Sequence, residues 1–266
     1  MRVSLFASAC VMLAGALLSG CLKDPHLPPP GNPFCKITKV KGDLHFQKDV
    51  DSFRITYDKK GNPESIVRGI VGTSSPNYLF LYDQKGRLTD FYGVYLNPTA
   101  FDIWHRYSYD AKNRIILDST YEFGEVGPGN VPIPSPGRPY LGVRNIATYS
   151  YDHLDRIVRS TDTYGHDTVF MTRLYTYNGA GNLTSVEERS DGGSTTISYT
   201  YDNKVNYHRL HPIWQFLDRD YSMNNPLPVA AYNTYGLPTS IILSGYRTGY
   251  FATTPFTFAE FEYSCK

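Results

Sequence analysis

The feature that most constrains this chain is a short unit that returns seven times, each copy opening on tyrosine followed by aspartate or asparagine. Successive copies are about 25 residues apart, except where two insertions lengthen the spacing. A regular period of this length is typical of repeated supersecondary units, each of which cannot bury its apolar face alone. The copies begin at Tyr57, Tyr82, Tyr109, Tyr151, Tyr177, Tyr201 and Tyr232.

Each copy carries the residues of a tight turn. The Asp or Asn after the tyrosine can accept a hydrogen bond from the backbone two residues further on. Four residues after the tyrosine, a glycine or asparagine-like residue tolerates the positive φ that ends such a turn, and Val205 is the departure from this rule. We therefore assign structural turn roles to Asp58, Gly61, Asp83, Gly86, Asp110, Asp152, Gly181 and Gly236.

The residues around each turn predict β-strands. A second large side chain precedes the tyrosine by two positions, so both face one side of a strand, and the outgoing strand after Ile115 also reads as a simple alternation. Consecutive hairpins with one face to bury form an antiparallel meander. We predict an all-β fold in which this meander rolls into a soluble barrel-like or shell-like sheet, with one short helix near residues 212–222.

The repeated Y-D-x-x-G-R-L pattern, clearest at Tyr82 to Leu88, resembles the YD repeats of Rhs-type bacterial surface and toxin-delivery proteins. The resemblance covers most of residues 55–245. In a chain this short, it is more similar to uncharacterised bacterial lipoproteins whose domain is described as an unknown-function, porin-like fold. It implies a rolled or closed β-meander and no established activity.

The two ends of residues 35–266, expected to form a single domain, are candidate closing strands. They are the segments CKITKV and FTFAEFEYSC, and the latter changes phase around Ala259 and Glu260, which suggests a bulge. Cys35 and Cys265 lie in these segments. They can pair in a disulfide, or remain two free or buried thiols, and the sequence leaves both alternatives open.

The first 20 residues have the charged start and apolar run of a secretory signal. The sequence Leu18-Ser19-Gly20-Cys21 is similar to the lipobox of bacterial lipoproteins; the alternative is an ordinary signal peptide with an incidental cysteine. The resemblance implies cleavage before Cys21, with a diacylglycerol on its thiol and an acyl chain on its amine. Residues 21–34 would then be a proline-rich tether, and the expected location is the bacterial outer membrane, on its periplasmic or its outer side.

The two insertions, at residues 122–143 and 207–228, are where we expect a binding site. The first is rich in proline and glycine, so it should be a long loop; its candidate ligand-binding residue is Tyr140. The second should contain the helix as a plug or lid, with Trp214, Arg219 and Tyr221 at a ligand pocket. The alternative, which we favour for Trp214, is a core residue that fills one end of the sheet.

Other function classes find little support. Basic and acidic residues number 26 and 25, which does not favour nucleic acid as a partner. His208, His211, Asp218 and Asp220 lack a third nitrogen or sulfur ligand, so we expect no metal and no cofactor. No phosphate-binding loop or hydrolase elbow motif is present, and we expect no catalytic residues. The expected function is a non-enzymatic, lipid-anchored envelope protein that binds a glycan or a protein partner; the alternatives are a structural envelope component and a glycan-active hydrolase.

Overall fold

The computed structural model describes residues 35–44, 49–136, 142–165, 168–226, 228–244 and 248–266. The predicted signal, Cys21, the tether and Tyr140 lie outside these ranges. The strands are β1 Cys35–Gly42, β2 Asp51–Tyr57, β3 Pro63–Arg68, β4 Asn77–Tyr82, β5 Leu88–Val94, β6 Ala100–Tyr109, β7 Ile115–Gly127, β8 Val131–Pro134, β9 Asn145–Tyr151, β10 Ile157–Tyr164, β11 Thr168–Tyr177, β12 Leu183–Ser190, β13 Gly193–Ser198, β14 Val229–Tyr232, β15 Pro238–Ile242, β16 Gly249–Phe251, β17 Thr254–Phe256 and β18 Phe258–Cys265. A 3₁₀ turn, Tyr207–Leu210, precedes helix α1, Pro212–Leu217.

The strands confirm the prediction of an all-β antiparallel meander. One sheet runs in the order β13-β12-β11-β10-β9-β7-β6-β5-β4-β3-β2-β1-β18-β15-β14, with β8 paired to β7, and β16 and β17 form a separate hairpin. The first and last strands pair with each other, but they lie inside the sheet. The edges are β13 and β14, which do not pair, so the sheet is not closed.

Each complete turn is held by its aspartate or asparagine. In the turn after Tyr82, the Asp83 carboxylate accepts the backbone N–H groups of Lys85 and Arg87 at 2.9 Å each. The same two bonds recur at Asp58, Asp110, Asp152, Asn178 and Asn233. The closing residue has positive φ, +79° at Gly86 and +62° at Asn113, which favours glycine or asparagine there.

A bulge follows every one of these turns and corrects the simple alternation expected of the outgoing strands. Tyr109 pairs with Ile115 and Ser108 with Leu117, so Ile116 is extra. The extra residue shifts the phase, so that Asp118 and Thr120 become buried while Phe123 is exposed. Inward positions therefore fall three residues apart across the bulge, as at Leu88 and Phe91.

The repeated tyrosines connect each hairpin to its neighbour. The Tyr82 hydroxyl donates to the Pro63 carbonyl and the Tyr109 hydroxyl to the Leu88 carbonyl, both at 2.6 Å. We call this series the tyrosine ladder; its other members are Tyr57, Tyr151, Tyr201 and Tyr263. Burial raises the pKa of Tyr109 to about 12, so the hydroxyl remains a donor at neutral pH.

The structure corrects the expected loop at residues 122–143. Strand β7 continues to Gly127 and turns back into β8. Val126 packs on a second apolar cluster, which contains Phe101 and the fully buried Trp104. Glycine permits this packing, because a Cβ at Gly124 would lie 2.5 Å from Cζ of Phe101. Proline in β8 is tolerated because that strand pairs on one side only.

The predicted short helix is confirmed as α1, and it ends at Leu217 because Arg219 takes a φ of +53° that a right-handed helix does not accommodate. One further expectation about local structure was wrong. The last strand has no bulge at Ala259 and Glu260, because Phe256 belongs to β17 and β18 alternates regularly from Phe258. The irregularity of that strand pair lies on β1, between Ile37 and Lys39.

The ends of the described domain are linked covalently. Cys35 on β1 and Cys265 on β18 are partners in the strand register and form a disulfide across a sequence separation of 230 residues. Among the described residues, there is no helix with the length and apolar character needed to cross a membrane.

Candidate functional site

The second insertion is spliced into one of the repeated turns. At Asp202, the Oδ1 atom accepts the backbone N–H of Lys204, as in the complete turns. In the complete turns, the second N–H donated to this oxygen belongs to the residue four positions after the aspartate. Here the donor is the backbone N–H of Asn225, at 3.1 Å. The Asn225 side chain also donates to Asp202, as Asn62 does to Asp58. The chain therefore leaves the turn, forms the 3₁₀ turn and α1, and returns to complete it.

This insertion lies between the β11–β12 turn and edge strand β14 of the open sheet. Asn224 exchanges hydrogen bonds with Asn182 in the turn before β12. On the other side, the Tyr232 hydroxyl of β14 donates to Asp202. The insertion thus spans the interval between β12 and β14 that strand pairing leaves open.

A buried histidine fixes the inserted segment. The His208 imidazole lies 2.9 Å from Asp218 and 3.1 Å from Asp220. Burial alone would lower the pKa of His208, but the two carboxylates outweigh it and raise that pKa to about 9. The second oxygen of Asp218 binds the backbone N–H of Thr253 in the β16–β17 turn, where φ is +68°. The histidine therefore holds the insertion against that turn as an imidazolium.

Trp214 lines neither of the two cavities described below, and its side chain lies in the apolar core. It is fully buried and packs against Phe80 and Phe251, with ring centroids 5.9 Å and 5.0 Å away. Phe216 contacts Tyr107 and Tyr149 edge to face on the same side of the sheet. The apolar face of α1 fills the interior of the rolled sheet, which is the alternative favoured for Trp214.

Arg219 does line a cavity. We call it the edge cavity, because it lies beside edge strand β13; its volume is about 350 Å³. The positive φ at Arg219 turns the guanidinium toward the sheet, where it lies 3.3 Å from both Ser160 Oγ and the Tyr149 hydroxyl. Asp162 is 3.6 Å away and forms a closer ion pair, 2.6 Å, with Arg173.

The walls of the edge cavity combine aromatic rings with paired charges. Arg173 also binds Glu188 at 2.6 Å, so a planar guanidinium and a carboxylate lie side by side on β11 and β12. Ile197 and Tyr250, both exposed, lie at the rim. The tyrosines that line the cavity are Tyr175, Tyr199, Tyr201, Tyr207 and Tyr250.

A second cavity lies between α1 and the row of repeated turns. We call it the turn cavity; its volume is about 480 Å³. Tyr221, predicted beside Arg219 and Trp214, lines this cavity instead of the edge cavity. His211 and Gln215 come from α1 and the residue before it, and Arg114 comes from the turn row. The sequence prediction thus missed Arg173, Glu188 and Gln215.

The insertion therefore contributes to both cavities. Of the candidate ligand-binding residues in the described part of the chain, Arg219 lines the edge cavity and Tyr221 the turn cavity. The described residues contain no group of three or more His, Cys, Asp or Glu side chains arranged to hold a metal ion. Taken together, the fold and site define an open β-meander of repeated hairpins with an inserted helical plug.

No family model matches the chain, and no curated protein is similar to it in sequence. Solved structures do resemble the fold. A porin-like protein from Bacteroides uniformis is 11% identical, with a TM-score of 0.45, over 86% of this chain and 98% of that one. A crystal structure of TcdB2-TccC3-Cdc42 is 17% identical, with a TM-score of 0.32, over 76% of this chain. The Tc holotoxin pore of Photorhabdus luminescens is 15% identical, with a TM-score of 0.24, over 74%.

This chain covers about a tenth of the length of the Tc proteins, 10% and 12% in these two structures. Likeness at these identities and TM-scores concerns the fold alone.

Proposed function

We propose that this chain is a non-enzymatic, lipid-anchored protein of the bacterial envelope that binds a glycan in the edge cavity. The observation that carries the binding proposal is the pair Arg173 and Glu188, aligned in the wall of a cavity lined by tyrosines. The volume of about 350 Å³ falls within the range of small-molecule sites, ~300–1,000 Å³.

The chemistry of this wall suits sugar rings. Guanidinium and carboxylate groups supply donors and acceptors to adjacent hydroxyls, and tyrosine rings offer flat apolar faces with a polar edge. Because the charge of Arg173 is neutralised by ion pairs with Asp162 and Glu188, this part of the wall does not favour a charged ligand. The side chains of Arg173 and Glu188 are 26% and 31% exposed, so a ligand can reach them.

The anchoring proposal depends on the sequence around Cys21, outside the described residues. The Cys35–Cys265 disulfide supports a secreted location, because such bonds persist outside the reducing cytosol. Mass spectrometry of the mature amino terminus tests the anchor. We expect a triacylated Cys21; a free thiol at that position would contradict it.

The binding proposal is tested on the full-length protein purified in detergent. Glycan-array screening should identify a ligand, and Arg173→Ala and Tyr199→Ala should weaken its binding about tenfold or more. Tyr164→Ala is the matched control, because Tyr164 is an exposed tyrosine on the same sheet that stacks on Phe170 outside the cavity. Binding that is unchanged in both cavity variants would overturn the edge cavity as the site.

A second candidate is a protein partner that adds a strand to β13. Every residue of Gly193–Ser198 is exposed, and one side of this strand has no neighbouring strand within the described ranges. The double variant Thr195→Lys with Thr196→Lys, at exposed positions that do not line the edge cavity, should then abolish co-purification of the partner and leave glycan binding unchanged. Turnover of any polysaccharide, lost on Glu188→Gln, would instead favour a glycan-active hydrolase.

A further inference from the structure

The turn cavity contains a polar group that the protein itself does not satisfy. Gln215 is 8% exposed, and no hydrogen bond of its side-chain carboxamide is found among the described residues, although its backbone N–H and C=O are both used. The carboxamide atoms are not fully enclosed, so they face open space. Gln215 lines the turn cavity. A buried amide with an unused donor and an unused acceptor indicates a place for a ligand that supplies both.

Two further polar groups line the same cavity. His211 accepts the Ile213 N–H at its Nδ1 atom, 3.2 Å away, so the proton of the neutral ring is on Nε2. Burial and the nearby Lys36 lower the pKa of His211 to about 4, which keeps the ring neutral above that pH. Tyr221 adds a hydroxyl that has no partner in the described part of the chain. The cavity thus offers neutral donors and acceptors.

The two arginines of the cavity wall are already neutralised, and the remaining cation, Lys112, has no ion pair in the described part of the chain. Arg87 pairs with Asp83 at 2.7 Å. Arg114 pairs with Asp110 at 2.7 Å and with Asp155 at 3.0 Å. An anionic ligand would have to compete with these carboxylates, whereas an uncharged one would leave every pair intact.

We propose that the turn cavity binds one uncharged sugar ring, with two adjacent hydroxyls on the Gln215 carboxamide. A vicinal diol presents a donor and an acceptor side by side, which matches the two halves of a carboxamide. His211 Nε2 and the Tyr221 hydroxyl contact further ring hydroxyls, and Ile213 and Phe216 cover the apolar face of the ring. This rests on the proposed function and deepens it by adding a second sugar position, beside α1 and separate from the edge cavity.

The test uses the full-length protein in detergent and calorimetric titration with methyl glucoside, methyl galactoside and methyl mannoside. Glucuronate and inorganic phosphate serve as charged probes. We expect saturable binding of at least one neutral glycoside, little change between low and high salt, and no binding of phosphate. Gln215→Leu, which keeps the volume and removes the amide, should weaken binding about tenfold or more.

Gln215→Leu should not lower the melting temperature, because it removes an unpaired buried amide, so loss of binding cannot be attributed to unfolding. Tyr164→Ala, at an exposed tyrosine that lines neither cavity, serves as the control and should leave glycoside binding unchanged. A cavity that holds only water gives no saturable heat with any neutral probe, which overturns the proposal. Binding lost in Arg173→Ala but kept in Gln215→Leu also overturns it, while supporting the edge cavity. Preference for glucuronate or phosphate refutes the uncharged class.

Discussion

The tyrosine ladder allows a comparison between two nearly identical positions. Tyr151 donates its hydroxyl to the Ile115 carbonyl at 2.6 Å. Tyr177 occupies the equivalent position one hairpin further on, but its hydroxyl is buried and has no partner among the described residues. Both rings lie under an arginine, Arg114 at 4.9 Å and Arg156 at 4.2 Å. Substitution by phenylalanine keeps each ring and removes only the hydroxyl.

Tyr151→Phe should reduce the free energy of unfolding by about 1–2 kcal/mol, because it removes a hydrogen bond and leaves a buried carbonyl without it. Tyr177→Phe should leave the free energy unchanged or raise it by up to ~1 kcal/mol, because a desolvated hydroxyl is removed. The two melting temperatures should therefore differ by several degrees, at about 2–4 °C per kcal/mol for a domain of this size.

Urea unfolding followed by circular dichroism measures both variants, with the slope m as the control for a two-state comparison. If the two substitutions reduce the free energy of unfolding equally, the hydrogen bonds from the ladder hydroxyls to their carbonyl partners do not contribute to stability. If Tyr177→Phe is the more destabilising, the assignment of its hydroxyl as unpaired is refuted.

Three other perturbations test how the insertion and the chain ends are held. Asp202→Ala should make residues 205–224 more susceptible to limited proteolysis than Asp152→Ala does, because Asp202 binds both Asn225 at the end of the insertion and Tyr232 of β14; equal cleavage would contradict this. The pKa of His208 is raised from its unfolded value of 6.5 to about 9 in the folded protein. Its contribution to the free energy of unfolding is therefore complete below pH 6.5 and is lost as the pH rises through 9. Urea unfolding should thus show a loss of roughly 3 kcal/mol from pH 6 to pH 9.5 that His208→Gln abolishes; an unchanged pH profile would refute it. Cys35→Ser with Cys265→Ser should cost about 5 kcal/mol in the chain-entropy treatment of a 230-residue separation, measured by urea unfolding; a loss under ~1 kcal/mol would contradict this treatment.

The repeat predicted most of the fold because each copy contains the residues that form its own turn. Aspartate, the positive-φ residue and the tyrosine recur in sequence, and each acts within a few residues of its own position. The phase of the outgoing strand was wrong because the bulge is one residue long and leaves no mark of its own at Ile116. The sequence does carry one indication of this bulge: apolar residues recur at the first and fourth positions after the turn, as at Leu88 and Phe91, instead of at alternate positions.

The extension of β7 could not be predicted from composition, because its support comes from another strand. Glycine and proline there indicate a loop when read locally. The packing of Val126 against Phe101 and Trp104, which stabilises the β7–β8 hairpin, involves residues more than twenty positions earlier in the chain.

The candidate site has the same dependence on distant residues. Arg173 and Glu188 come from two strands, and Arg219 lines the same cavity with a positive φ that its residue type does not predict. One signal was available in the sequence: Asn225-Pro226 repeats Asn62-Pro63, which marks where the interrupted turn resumes. Recognising it would have defined the insertion as a plug inside one repeat.

The way the plug is built decides how its function can be tested. Because the insertion interrupts a single turn, replacing it by an ordinary four-residue turn would restore the repeat pattern in the sequence. Tyr207 and Trp214 are fully buried, however, and their removal would leave a void in the interior of the sheet. Loss of large buried side chains costs several kcal/mol each, ~3–5 for tryptophan. A deletion would therefore abolish binding by unfolding the sheet, and only substitutions at cavity walls, such as Arg173 and Gln215, separate binding from stability.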